Sequence, residues 1–172
     1  ILNQAFPRSL LPLSSAISAA RQFLPTLPVY ILIVLIGKLV FNDEALPGLT
    51  WNYLLIPFIF ILLALTSFGL SLLFATMNVY FRDTTKLLSY IMRIWLYASP
   101  VLWQPDMLTG WYRIILYLNP LGPILSANSR IWIDGLMPTT SQLIGCLFWA
   151  LFSFLLGGYF FISRERDFAV RI

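Results

Sequence analysis

The chain has 172 residues, 59% of them hydrophobic and 10% charged, with a mean hydropathy of +0.83. Soluble domains carry roughly 25% charged residues, so a single aqueous core of this size cannot hold so much apolar surface, and the bilayer is the natural solvent. The net charge of +4 is spread without a dense Lys/Arg run, which excludes a nucleic-acid binder. Histidine is absent and Cys146 is the single cysteine, so the commonest metal ligand, an internal disulfide and any Ser/His or Cys/His pair are excluded.

The sequence starts "ILNQAFPRSLLP", without methionine or a signal-peptide pattern, and is expected to be part of a longer protein. Four apolar segments approach the roughly 20 residues needed to cross a hydrocarbon core. The first, about 23–41, carries Pro25 and Pro28, which would kink a helix. The second, about 54–77, reads "LLIPFIFILLALTSFGLSLLFATM". The third, about 87–103, is shorter and carries Arg93. The fourth, about 143–162, reads "LIGCLFWALFSFLLGGYFFI". Continuous runs of this kind predict helices, since a transmembrane barrel needs alternating segments of about ten residues. The expected fold class is therefore all-α, a polytopic transmembrane helix bundle.

Between the third and fourth segments, about 104–141, two short apolar patches, "WYRIILYL" and "PILSANSRIWI", flank "NPLGP". Their length suits short re-entrant helices on the outer side, turning at Asn119-Pro120. An external loop lying on the headgroups, with Trp111 and Trp132 in the aromatic belt, is the other reading. Four spans put Arg8, Arg82, Lys86, Arg164, Arg166 and Arg171 on one side, against Lys38, Arg113 and Arg130 on the other. By the positive-inside rule the former side is cytoplasmic, as are the opening stretch and the tail.

The stretches "AFPRSLLPLSSAIS", "MNVYFRDTTKLL", "LYASPVLWQPDML", "LYLNPLGPILSANSRIWIDG" and "GGYFFISRERDFA" follow one another in this order. Together they resemble the membrane permease subunits of type-2 ABC transporters, specifically the exporters of polysaccharides of the O-antigen, teichoic-acid and galactan type. The resemblance covers nearly the whole chain. It implies a single transmembrane domain over 1–172, the C-terminal two-thirds of a six-span permease in the cytoplasmic (inner) membrane of a bacterium. It further implies a homodimer, with a second copy of the permease and separate ABC ATPase subunits driving a lipid-linked glycan outward. No cofactor is expected in this chain, ATP and magnesium belonging to the partner ATPase, because the sequence has no phosphate loop. A permease for a drug or small lipid is a near rival. A membrane-embedded glycosyl or polyprenyl-phosphate transferase is a more distant one, since Asp83, Asp106 and Asp134 are too scattered for an active site.

Three groups of residues carry the functional expectations. Arg8, Phe81, Arg82 and Asp83 lie on the predicted cytoplasmic side and are expected to couple to the ATPase; Asp83 alternatively caps a helix starting near Thr84. Arg93, Trp95, Tyr97 and Trp103 are expected along the substrate channel. An arginine at membrane depth costs roughly 2.5–3.5 kcal/mol unless it faces water, a partner or snorkels, and aromatic rings stack on sugar faces or simply pack. Ser99 and Pro100 are expected to bend the third span into the outer helices, where Asn119, Pro120 and Arg130 form an outer gate, with Arg113 and Asp134 near its mouth. Gly157-Gly158 permits close helix approach.

Overall fold

The computed structural model describes residues 10–40, 50–81 and 83–164, and among these the secondary structure is helical with no strand. Three stretches are long and apolar enough to cross a membrane: Leu13–Gly37, Trp51–Tyr80 and Thr140–Arg164. Their sides carry exposed Leu, Ile and Phe throughout, including Ile33, Ile61, Leu151 and Leu155. That much exposed apolar surface requires lipid rather than water around it.

The first stretch is two helices, α1 (Leu10–Phe23) and α2 (Thr26–Val40). Pro25 has no N–H to continue α1, and the Thr26 hydroxyl donates to the Phe23 carbonyl (2.6 Å) across the break. Pro28 falls in the first turn of α2, where its missing N–H does no harm. The spanning stretch thus starts ten residues earlier than the expected position 23, taking in "LSSAISAARQ".

α3 (Ile56–Tyr80) starts with Pro57 in its first turn and runs antiparallel to α1, with Phe23 stacked on Phe60 at a centroid distance of 5.0 Å. α7 (Thr140–Arg164) opens on a capping box. The Thr139 N–H donates to the Gln142 side-chain oxygen (2.8 Å), and the Gln142 N–H donates in return to the Thr139 hydroxyl at a long 3.4 Å.

α3 and α7 run parallel and form the core pair. Ile59 and Leu62 pack with Cys146 and Ala150, Leu72 with Phe161, and the Arg164 guanidinium lies over the Tyr80 ring at 5.8 Å. The helices cross at Gly69 and Gly157, where a side chain on either would run into the other helix's backbone. The turn after α3 and the end of α7 therefore share one end of the bundle, and the starts of α3 and α7 share the other.

α4 (Thr84–Ala98) returns from that turn antiparallel to α3. Its 15 residues make roughly 22 Å, short of the roughly 30 Å of a hydrocarbon core, so the expected third full span over 87–103 is not among the spanning stretches. The cause is Pro100: it forces Ser99 into extended geometry (φ −98, ψ 149), and the helix terminates at Ala98 instead of bending. Two short helices follow, α5 (Arg113–Leu118) and α6 (Gly122–Trp132). Ile124, Ala127 and Ile131 fall on one face of α6 and are 0–1% exposed against α3 and α7. The α5–α6 pair lies alongside the spanning helices.

Candidate functional site

A groove of about 1150 Å³ separates α4 from α3. It runs from Asn78, Thr84 and Thr85 at the end of the bundle holding the α3–α4 turn to Leu121 and Leu125 at the α5–α6 elbow. Its wall is mostly apolar, with Leu70, Phe74, Leu88, Met92 and Leu96, but four serines interrupt it: Ser15 from α1, Ser67 and Ser71 from α3, and Ser99. Ser67 and Ser71 are one turn apart, and this spacing was the signal in the sequence that went unread.

α4 has two unlike faces. Leu88, Met92, Trp95 and Ser99 fall every three to four residues and line the groove. Lys86, Tyr90, Arg93 and Tyr97 repeat at the same spacing on the far side, and all four are exposed. Arg93 and Trp95 are two residues apart, which is about 200° around a helix at 3.6 residues per turn. The four residues expected along one channel therefore divide: Trp95 faces the groove, while Arg93 and Tyr97 share the opposite face with Tyr90. Trp103 folds back over the end of α4, its indole N–H donating to the Tyr97 carbonyl (3.0 Å).

Trp95 instead joins residues assigned to the outer elbow. The Asn119 side-chain oxygen accepts from the Trp95 indole N–H (2.7 Å) and from the Leu121 backbone N–H (3.0 Å). Its NH₂ donates to the Ser99 hydroxyl (2.8 Å) and to the Ala98 carbonyl (3.3 Å). An amide side chain has two acceptor positions and two donors, and here all four are in use. Rotating the amide would aim its NH₂ at two N–H donors, so the network admits one orientation. Ser99 and Pro100 are buried, and Asn119 and Pro120 are half-buried in the same joint.

The elbow is held in turn against α7. The Trp149 indole N–H donates to the Tyr117 carbonyl (2.8 Å), and the Gln142 NH₂ donates to the Ser126 hydroxyl (2.6 Å) inside the core. Gly145 lets Pro123 approach: a Cβ there would lie 2.9 Å from the proline ring. Arg130 sits apart from this joint, near the other end of α6, where its Nε–H donates to the Met137 carbonyl (3.0 Å) and closes the loop before α7. Arg113 makes the equivalent bond to the Leu108 carbonyl (3.0 Å). Asp134 and Asp106 line a small polar recess beside Arg130 and Gln142.

At the opposite end of the bundle, Phe81 is exposed after α3, and Asp83 occupies the N-cap position of α4 without a side-chain capping bond. The bond expected from Asp83 is absent because its backbone is helical (φ −77, ψ −6) rather than extended, which turns the carboxylate away from the first-turn N–H groups. Thr85 does the local tying, its hydroxyl donating to the Asn78 side-chain oxygen (2.8 Å). Arg8 and Arg82, expected beside them, lie outside the described residues.

Three hydrophobic stretches, a grooved short helix and a paired-helix elbow define a multi-pass membrane protein with a lateral groove. Residues 8–133 match the ABC-2 type transporter family, and the chain belongs to it. Among curated proteins it is 31% identical over 137 residues to an O-antigen export system permease protein RfbA of Klebsiella pneumoniae, covering 80% of this chain and 50% of that protein. A second such protein from the same organism is 30% identical over 78% of this chain and 49% of its own length. One from Myxococcus xanthus is 25% identical over 97% of this chain and 62% of its own length. The chain spans about half the length of the curated Klebsiella relatives it matches.

Proposed function

We propose that this chain is the transmembrane part of an exporter that moves a lipid-linked polysaccharide across the cytoplasmic membrane of a bacterium. In this reading the permease works as a homodimer, and hydrolysis of magnesium-bound ATP belongs to a separate ATPase subunit. The observation that carries the reading is family membership over 8–133 combined with similarity to permeases named for O-antigen export. The geometry supports it: a groove with a slippery apolar wall and spaced hydroxyls suits a long amphiphile better than a small, tightly held ligand. The exposed Tyr90 and Tyr97 on the far face of α4 are flat surfaces of the kind sugar rings slide over. The Phe81–Asp83 turn faces the ATPase, and the α5–α6 elbow dips into the outer leaflet as a re-entrant pair that closes the path.

The test is deletion of the gene in the bacterium that encodes it, with complementation by the full-length permease and its ATPase. The expected result is loss of long-chain glycan from the cell surface, with lipid-linked glycan retained inside. An unchanged surface glycan, with altered sensitivity to membrane-active drugs, would favour the rival small-molecule permease.

A further inference from the structure

We infer that the far face of α4 is the wall of a wet path and that the polymer passing it is acidic, with Lys86 and Arg93 meeting negative charges carried along the glycan. The inference rests on the transport reading for the polymer, and on the helix geometry for the charge. At roughly 100° per residue, α4 divides into three faces. One lines the groove. The second, Leu87, Ile91 and Ile94, is apolar and 40–69% exposed, as a surface turned to lipid is. The third gathers Lys86, Ser89, Tyr90, Arg93 and Tyr97 into an arc of roughly 100°, and all five are exposed. Thr84, Thr85 and Trp95 line the groove, so every other polar or phenolic side chain of α4 lies on this one arc. The helix carries no acid.

Lipid is a poor cover for that arc. Arg93 stands two turns past Lys86, roughly 10 Å deeper from the inner end. A guanidinium left in hydrocarbon there costs roughly 2.5–3.5 kcal/mol. Bending back toward the inner interface carries it to Lys86, a like charge. It meets no carboxylate among the described residues. Water on this face removes the cost. The chemistry of the arc then selects what moves through that water. Tyr90 lies one turn before Arg93 and Tyr97 one turn after, so a ring flanks the guanidinium on each side. The rings fit the apolar faces of sugars, and the guanidinium grips a carboxylate or phosphate at two points. An acidic sugar brings a ring face and an anion in one unit. Lys86 and Arg93 are spaced along the axis instead of converging, and the Ser89 hydroxyl is engaged with the Thr85 carbonyl (3.0 Å). The arc is therefore no pocket for one compact anion such as a carrier pyrophosphate; it fits charges that recur along a chain.

The experiment uses the full-length permease with its ATPase in phospholipid vesicles, on a Cys146→Ala background. Ser89→Cys and Tyr97→Cys on the arc, and Ile94→Cys on the apolar face, are treated with methanethiosulfonate reagents of either charge, with rates scaled to those of a free thiol. The arc cysteines should react, the anionic reagent leading the cationic one by roughly ten-fold, while Ile94→Cys stays unreactive. Arg93→Lys should keep that lead and Arg93→Gln should lose it. An oligogalacturonate should slow labelling of Tyr97→Cys, and a neutral oligogalactan of equal length or inorganic pyrophosphate should not. Arc cysteines closed to both reagents would mean that protein covers the arc, and would overturn the inference. So would equal rates for the two reagents, a lead that survives Arg93→Gln, or protection by the neutral glycan or pyrophosphate as strong as by the oligogalacturonate. If no ATPase associates with the permease at all, the transport reading fails, while the reagent rates still decide whether the arc is a wet, cationic wall.

Discussion

Gly157 and Gly158 are neighbours in α7 with opposite surroundings, and alanine at each gives an internally controlled measurement. A Cβ on Gly157 would lie 2.8 Å from the Gly69 carbonyl carbon, 3.2 Å from its Cα, and closer still to its oxygen. A Cβ on Gly158 meets nothing within 4 Å. Non-bonded carbons rest at about 3.5–4.0 Å, so Gly157→Ala requires α3 and α7 to part by about 1 Å, and the obstacle is backbone, which cannot rotate away. Both substitutions gain the same helix preference, up to about 1 kcal/mol, so it cancels between them. What remains is overpacking at the crossing, about 1–3 kcal/mol, or roughly five- to 150-fold in the folded-to-unfolded ratio. The assay is reversible unfolding in mixed micelles followed by helical circular dichroism. Gly158→Ala should match or exceed the parent, and Gly157→Ala should fall below Gly158→Ala by that margin. Equal stabilities, or a lower stability for Gly158→Ala, would refute the close crossing.

Gln142→Leu removes both the capping-box bond from the Thr139 N–H to the Gln142 side-chain oxygen and the bond to Ser126; a loss of about 1–2 kcal/mol is expected in the same assay, partly relieved in combination with Ser126→Ala, which leaves no orphaned hydroxyl. Gly122→Ala would press a Cβ into the Leu116 carbonyl and force the elbow open; the expected readout is a shifted emission of Trp149, whose indole bond to Tyr117 depends on elbow position. Because α3 and α7 run parallel, cysteines at Phe81 and Ser163 should react with an impermeant reagent from one side of the membrane, and a cysteine at Trp111 from the other. Reaction of 81 and 163 from opposite sides would contradict the fold.

The bundle was largely legible in the sequence because unbroken apolar runs such as 54–77 leave few alternatives in lipid. Three stretches span where four were expected, and α3 and α7 still run parallel because α4, too short to span, makes the return pass between them. Where the reading slipped, hydropathy competed with something local. The first span opens on "LSSAISAARQ", whose serines and arginine lower the average although they belong to a helix packed on α3. The third segment reads as apolar through Trp103, but Pro100 decides its length. The site was legible in its members and not in its grouping. Ser99 and Asn119 stood out because each precedes a proline, but nothing in the spacing says that Trp95, 24 residues before Asn119, bonds to it. Period alone, by contrast, does separate the face of Arg93 from that of Trp95. Gly157 and Gly158 could be told apart only by phase: Cys146, Ala150, Ser153 and Gly157 fall on one buried face, and Gly158 does not.

The shortness of α4 and the depth of the elbow belong together. α4 falls roughly 8 Å short of a hydrocarbon core. Along α7, the elbow's contacts run from Gln142 to Trp149, seven residues or roughly 10 Å. The elbow therefore lies beside the first turns of α7 over a length similar to the one by which α4 falls short. Irregular backbone at such a depth is tolerated only when its polar groups find partners within the protein. The residues gathered here meet that demand: Asn119 caps the end of α4 and the start of the elbow turn, Trp149 covers the Tyr117 carbonyl, and Gln142 pairs with Ser126. The buried polar contacts of the elbow thus accompany the early end of α4, beside the groove that separates α4 from α3.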